Sequence, residues 1–195
     1  MLNWVNPIEK DKIKKNEKNI FLITIIFLIN NKYKSLIYLY GQDLKLRKNI
    51  KLKKITIVQY SLFLIGFSLV ISGFRWMIDS EPWLLDKVAN EERLQFSFNE
   101  LFSVSGNETL PNYLKQIYRF LGMYVFGTGL FLLSLVNVKL LEIQILRVRL
   151  LAVLGLLLIT NILLAYFWIP SSHFILLMWG AIMLYLVTLY NHFKI

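Results

Sequence analysis

The stretch "LLAVLGLLLITNILLAYFWIPSSHFILLMWGAIMLYLVTLY" (150–190) decides the fold class of this chain. It contains no Asp, Glu, Lys or Arg, and its apolar character is broken only by "PSSH" at 170–173. About 20 apolar residues of helix cross the hydrocarbon core of a bilayer, where a helix satisfies its own backbone. We therefore predict two membrane-spanning helices, 150–169 and 174–190, joined by a short turn.

Two further spans precede this stretch in the sequence. "ITIVQYSLFLIGFSLVISGF" (55–74) and "FLGMYVFGTGLFLLSLVNV" (120–138) are each long and apolar enough to cross a bilayer. The chain of 195 residues is 56% hydrophobic, with a mean hydropathy of +0.54, which is more apolar than a soluble domain of this size usually is. The predicted fold class is all-α, an integral membrane four-helix bundle.

Charge predicts how these spans are oriented. Residues 1–56 carry 13 Lys or Arg against 4 Asp or Glu, whereas residues 75–118 carry 4 against 7. Because basic segments stay on the cytoplasmic side, the basic stretches 45–54 and 139–149 are predicted to lie inside. Loop 75–118 then faces outward, which gives an N-in, C-in protein of a bacterial-type inner membrane. The alternation of basic and acidic segments along the chain accounts for the net charge of +10. The predicted partner is therefore the lipid bilayer and not a nucleic acid.

The basic N-terminal arm, residues 1–54, is the least regular part of the sequence. Its apolar run "IFLITIIFLI" (20–29) is short for a span and is more typical of an interfacial or buried segment. A fifth span is the alternative, although extending the run would bury Lys32 and Lys34 in lipid. The other hypotheses are a basic arm lying on anionic lipid, a poorly ordered extension, and a translation start further downstream.

The loop 75–118 is predicted to be amphipathic and to form short helices at the outer interface. Ser80 is a candidate helix cap, and Ser97 with Glu100 has the spacing of a capping box. Pro111 is expected to begin a helix that continues into the second span. The acids of the loop match no metal-binding spacing, and we interpret them mainly as a solvated helix face.

Charged residues at the outer ends of the spans form a candidate site for an anion or a lipid phosphate. Arg119 follows Lys115 by one helical turn, so both side chains share a helix face. The alternative interpretation is that such cations extend to lipid headgroups or pair with nearby acids. The candidate outer-face residues are Arg75, Asp79, Glu81, Lys115, Arg119 and His173.

Polar residues inside the spans are few and small. An amide or hydroxyl at this depth can hydrogen-bond across a helix interface, and small residues permit close helix approach. Helix packing is therefore the favoured interpretation, and a transport site is the alternative. The residues concerned are Ser68, Thr128, Thr160 and Asn161.

Several functional classes are excluded by composition. The chain has no cysteine, which excludes thiol catalysis, disulfide exchange and cysteine metal sites. Its two histidines, His173 and His192, are predicted to lie on opposite sides of the membrane, which excludes a haem held by paired histidines. We predict no catalytic residue, no metal and no cofactor.

The order of segments resembles small uncharacterised bacterial integral membrane proteins. In those, a first span and an outer amphipathic segment precede a helix like "LKQIYRFLGMYVFGTGLFLL" (114–133), followed by two closing spans. The resemblance covers about residues 55–193 and implies no activity. The leading hypothesis is a non-enzymatic membrane protein that acts through helix packing, lipid, a partner protein or a second copy. A small-molecule or lipid transporter using the outer-face residues is the alternative, and a membrane enzyme is third.

Overall fold

A computed structural model describes the backbone of residues 7–195 and the side chains of Lys34, Tyr38 and residues 40–195. It divides the chain into two compact units, Met1–Ile50 and Lys51–Ile195. The part of the chain that it describes is all-helical, without a strand. The elements in chain order are α1 (Pro7–Ile78), a 3-10 helix (Pro82–Asp86), α2 (Lys87–Leu94), α3 (Phe98–Ser103), α4 (Leu110–Leu135), α5 (Val138–Glu142), α6 (Gln144–Trp168) and α7 (Phe174–Phe193).

Four helical stretches are long and apolar enough to span a membrane. This count applies to the described residues and confirms the predicted all-helical class with four helices of spanning length. The stretches are Tyr40–Ile78 within α1, Leu110–Leu135, Gln144–Trp168 and Phe174–Phe193.

The ends of the second and third of these helices differ from the predicted spans. α4 has Pro111 in its first turn, where a proline removes no helical hydrogen bond, and it runs directly into the apolar part as expected. It ends at Leu135, because the Asn137 side chain accepts a hydrogen bond from the Lys139 N–H at 2.9 Å and caps α5. The basic stretch 139–149 is thus largely helical.

In the first unit, the described side chains are exposed. Arg47 and Asp43 form an ion pair at 2.9 Å across one turn of α1. The backbone of 20–29 belongs to α1, but the side chains of that run and all of residues 1–6 lie outside the described residues. The interfacial segment and the fifth span stay predictions.

In the second unit, α1 and α4 pack against each other through four glycines, which we call the glycine seam: Gly66, Gly73, Gly122 and Gly129. A Cβ at Gly73 would lie 2.3 Å from the Phe126 backbone nitrogen and 2.6 Å from the Gly122 carbonyl oxygen. A Cβ at Gly129 would lie 2.8 Å from the Gly66 carbonyl oxygen. Each glycine pair is seven residues apart, which places both members on one face of their helix. The seam therefore brings two antiparallel backbones into direct contact.

α6 and α7 pack through a different pair of residues. The Tyr185 hydroxyl donates a hydrogen bond to the Leu151 carbonyl at 2.9 Å, and the ring end lies over Gly155. A Cβ at Gly155 would lie 2.3 Å from that hydroxyl oxygen. Because a hydroxyl in an apolar setting needs a partner, this bond fixes the two helices in register.

Buried apolar side chains from four helices meet in one cluster, against which α7 packs. The cluster comprises Ile55, Val58, Leu62, Ile65, Leu132, Leu141, Leu151 and Leu154, with Leu184, Tyr185 and Leu189 of α7 packed against it. We call the end of the second unit near α5 the short-loop end. The opposite end, with residues 79–109 and the α6–α7 turn, is the long-loop end.

Candidate functional site

The segment between α1 and α4, residues 79–109, has a small core of its own. The rings of Trp83 and Phe102 lie 5.5 Å apart edge to face, and those of Phe98 and Phe102 lie 5.7 Å apart. Trp83 and Phe98 are 5% and 3% exposed. Aromatic pairs in this geometry contribute about 0.5–1.5 kcal/mol beyond the burial of their area. Because its aromatic residues are buried together, this segment is folded rather than a simple connection.

Hydrogen bonds fix the backbone around this core. The Asn90 amide donates to the Trp83 carbonyl at 3.0 Å, and the Glu91 carboxylate accepts from the Phe98 N–H at 3.0 Å. The predicted capping box is present, since Ser97 caps α3 and Glu100 bonds back to it. The Ser97 backbone N–H and hydroxyl hold the pKa of Glu100 below its ordinary value.

The start of this segment differs from the expected helix capped by Ser80. The chain instead forms a 3-10 helix from Pro82, and Glu81 occupies the position before it without a side-chain cap bond. The Asp79 carboxylate accepts a hydrogen bond from the Glu81 N–H at 2.9 Å, which turns the chain locally. α2 follows only at Lys87.

A histidine–carboxylate pair joins this segment to the α6–α7 turn. His173 Nδ1 lies 3.1 Å from Asp86 Oδ1. The Asp86 side chain is 9% exposed, whereas that of His173 is 53% exposed. A buried carboxylate needs a hydrogen-bonded partner, and His173 supplies it.

Two further contacts join the same pieces. The Ser171 hydroxyl donates to the Glu92 carboxylate, and the Arg93 guanidinium carbon lies 5.2 Å from the centroid of the Trp168 ring. A cation over a tryptophan face contributes about 0.5–1 kcal/mol at an exposed site. We call residues 79–109, held in this way, the docked segment.

Three of the predicted outer-face residues lie beside one aromatic contact. The Trp76 ring lies 6.3 Å from the Tyr118 ring and 5.0 Å from the Phe174 ring. These residues directly follow Arg75, precede Arg119 and follow His173 in the sequence. The structure therefore brings the ends of α1, α4 and α7 together, while His173 itself pairs with Asp86.

The other predicted outer-face charges are solvent-accessible. Arg75, Glu81 and Arg119 are exposed and Lys115 is half-buried. Within the described part of the chain, no carboxylate lies within 4.0 Å of Arg75, Lys115 or Arg119. Their assignment as an anion or lipid-phosphate site stays a prediction.

The polar residues inside the spans bond to their own helices. Ser68 donates to the Ile65 carbonyl at 2.8 Å and Thr128 to the Tyr124 carbonyl at 2.7 Å. Thr160 and Asn161 likewise donate to carbonyls one turn earlier, at 2.8 and 2.7 Å. Close helix contact occurs instead at glycines, for which the seven-residue spacing is the sequence signal.

Arg147 is a buried charge that the sequence analysis did not single out. It is 3% exposed, in the first turns of α6. Its Nε donates to His192 Nδ1 at 2.8 Å, and its Nη1 donates to the Leu141 carbonyl. The sequence signal was its spacing, since Arg147, Leu151 and Leu154 recur on one helix face.

Neither the grouping of metal-ligating side chains nor the comparison with known proteins indicates a function for this chain. Among the described residues, no three His, Asp or Glu side chains are grouped so that they could hold a metal ion. No family model, curated protein or solved structure matches the chain. The resemblance to small bacterial membrane proteins therefore rests on segment order alone.

Proposed function

We propose that this chain is an integral membrane protein that acts by interaction rather than by catalysis, with the docked segment as its interaction surface. The observation that carries the proposal is the folded state of that segment. A connection between two helices needs no buried aromatic core and no charged bonds to a second turn. Binding residues are often found on connecting segments that the rest of the protein holds in a fixed position. The partner is a membrane protein or a second copy.

We further propose a four-helix bundle in a bacterial-type inner membrane, with both termini inside. The short-loop end carries the basic stretch 139–149 and Lys194, and the docked segment carries most of the acids. The positive-inside rule then places the docked segment outside. The glycine seam and the Tyr185–Leu151 bond support the bundle, because each fixes one pair of neighbouring helices.

A cysteine-labelling experiment tests this topology. The chain contains no cysteine, so Ser105→Cys and Gln144→Cys each introduce a unique thiol. A membrane-impermeant maleimide added to intact cells should label position 105 and should label position 144 only after permeabilisation. Labelling of both positions in intact cells would contradict the topology.

Site-specific photo-crosslinking tests the interaction surface. Val88, on α2 of the docked segment, is 70% exposed. A photo-reactive residue at position 88 should give one discrete protein adduct in native membranes, whose mass distinguishes a second copy from another partner. The same residue at Leu156, which is 68% exposed in α6, serves as the control and should give no discrete protein adduct.

Disrupting the segment core makes this test specific. Trp83→Ala removes a buried ring of the docked segment and should abolish the adduct at position 88, while the protein remains in the membrane. An adduct that persists in Trp83→Ala would contradict the role of the folded segment. Equal adducts at positions 88 and 156 would contradict the interaction surface itself.

The alternative function is a transporter or binding protein for a small molecule or lipid at Arg75, Arg119 and His173. One observation favours this alternative: in the described part of the chain, no carboxylate lies within 4.0 Å of Arg75 or Arg119. Arg119→Ala should then insert normally and lose an anion-dependent rise in Tm. An unchanged rise in both Arg119→Ala and His173→Ala would exclude this site.

A further inference from the structure

Two lysines, one on α1 and one at the end of α7, lie close together at the short-loop end. The Lys54 ammonium on α1 donates a hydrogen bond to the backbone carbonyl of Lys194, which directly follows α7. The Lys194 ammonium in turn donates to the Tyr190 hydroxyl at 2.5 Å and lies 4.2 Å from the centroid of that ring. We call Lys54, Tyr190 and Lys194 the basic junction.

Arg147 is a buried charge that contacts the same helix end through His192. Its guanidinium holds His192 on α7 and the Leu141 carbonyl on α5, so it ties the end of α7 to α6. Because His192 Nδ1 accepts the bond from Arg147, that nitrogen carries no proton, and the ring supplies no negative charge. The guanidinium is therefore hydrogen-bonded but not neutralised by these partners.

No acid neutralises the basic junction within the described chain. No carboxylate lies within 4.0 Å of Lys54, Arg147 or Lys194 in that part. Like charges held near each other repel. An external anion bound by Lys54 and Lys194 would reduce that repulsion.

The junction also has hydrogen-bond donors to spare. An ammonium group has three donors, and Lys54 and Lys194 each use one of them within the protein. Lys54 is half-buried and Lys194 is exposed, so both can be reached from outside the protein. The remaining donors suit a ligand with several acceptor oxygens on one centre.

We propose that the basic junction binds a phosphate group, held by the Lys54 and Lys194 ammonium groups beside the Tyr190 hydroxyl. Arg147 is not part of this site, but its bond to His192 helps to fix the end of α7. Lys–phosphate contacts of this kind are charge-assisted and favourable. The phosphate comes from an anionic phospholipid headgroup or from a soluble phosphate. The proposal is independent of the docked segment, which lies at the other end of the unit.

Thermal unfolding in lipid nanodiscs tests the site. Tm of the full-length protein is measured in phosphatidylcholine and in mixed phosphatidylcholine–phosphatidylglycerol discs. The wild type should show a higher Tm in the anionic discs, and Lys54→Gln/Lys194→Gln should lose most of that rise. Lys139→Gln is the matched control, because Lys139 is an exposed lysine at the same end but outside the junction. It should keep the rise.

Inorganic phosphate distinguishes the two sources. If phosphate added to phosphatidylcholine discs raises Tm as much as anionic lipid, and Lys54→Gln/Lys194→Gln abolishes this, the ligand is a soluble phosphate. If only the anionic lipid acts, it is a headgroup. The proposal is overturned if neither raises the wild-type Tm, or if Lys139→Gln loses as much as the double variant.

Discussion

The glycine seam and the docked segment join helices by opposite means. In the seam, two backbones touch, with Gly73 and Gly122 leaving no room for even a methyl group. At the docked segment, side chains make the contact, including the Asp86–His173 pair and the Arg93 guanidinium over the Trp168 ring. One junction depends on the absence of side chains and the other on their presence.

This difference follows from the surroundings of each junction. In the proposed membrane topology, bringing the spans together removes no apolar surface from water, because lipid is as apolar as the helices themselves. Association there depends on close packing, which glycine permits. At the long-loop end, aromatic burial and charged contacts contribute as they do in soluble proteins. The seam should therefore respond sharply to added volume, and the docked segment to lost polar or aromatic groups.

The largest effect is expected in the seam. Gly73→Ala places a Cβ within 2.7 Å of three backbone atoms, which cannot move aside as a flexible side chain can. We expect a loss of about 3 kcal/mol in the free energy of unfolding, the upper range for overpacking. Reversible unfolding in mixed detergent–SDS micelles measures it.

Gly127→Ala is the matched control for this prediction. Gly127 lies on α4 between two seam glycines, but a Cβ there meets nothing within 4 Å. Because alanine is the better helix former, this variant should be neutral or slightly more stable. Because helix propensity favours both substitutions, equal losses in Gly73→Ala and Gly127→Ala would show that the close backbone approach at Gly73 is not the cause of the loss.

The sequence predicts the helices better than it predicts their contacts. The four spanning helices follow from uncharged runs such as 150–190, because a long apolar run has few stable alternatives in lipid. Thr128 is one of the predicted packing residues, yet the close contact with α1 lies at its neighbour Gly129. Which face of a helix meets a neighbour depends on rotation about its axis, which apolar composition does not specify.

The candidate site shows the same limit. His173 is a predicted outer-face residue, and in the structure it contacts Asp86, one of the acids that the sequence suggests lie on a solvated helix face. The pairing joins positions that are distant in sequence, and it required the 3-10 helix Pro82–Asp86 in place of the expected helix from Ser80. Arg147 lies outside the predicted third span, which begins at residue 150, whereas α6 begins at Gln144 and includes it.

The second prediction concerns α6 and α7, where volume and polarity act together. Gly155→Ala places a Cβ 2.3 Å from the Tyr185 hydroxyl oxygen and should displace it from the Leu151 carbonyl. We expect a loss of about 2 kcal/mol. In Tyr185→Phe, which lacks the hydroxyl, Gly155→Ala should cost much less. A double-mutant cycle in the same micelles tests this coupling, and strictly additive losses would contradict it.

The third prediction breaks the docked segment without touching the spans. Asp86→Ala and His173→Ala should each loosen residues 82–103 and cost about 1 kcal/mol, as for a lost hydrogen-bonded pair. Hydrogen exchange should accelerate in this segment and stay unchanged in the helix α4 next to the seam. Losses that add without coupling in the double variant would show that the 3.1 Å contact contributes nothing.

The smallest effect is the pH dependence of the α3 capping box. Its hydrogen bonds lower the pKa of Glu100 below the ordinary value of 4.5, so the folded state binds this proton less readily than the unfolded state. The resulting stability is present above that ordinary value and is lost as pH falls through the lowered pKa.

Hydrogen exchange of the Phe98–Ser103 amides, corrected for the intrinsic rate, should therefore accelerate on acidification more in the wild type than in Glu100→Gln. The difference between the two proteins isolates Glu100 from the other acids of the docked segment, including Glu108. Identical pH profiles would show that the aromatic core alone holds α3. The docked segment would then differ from the glycine seam only in using aromatic burial where the seam uses close backbone packing.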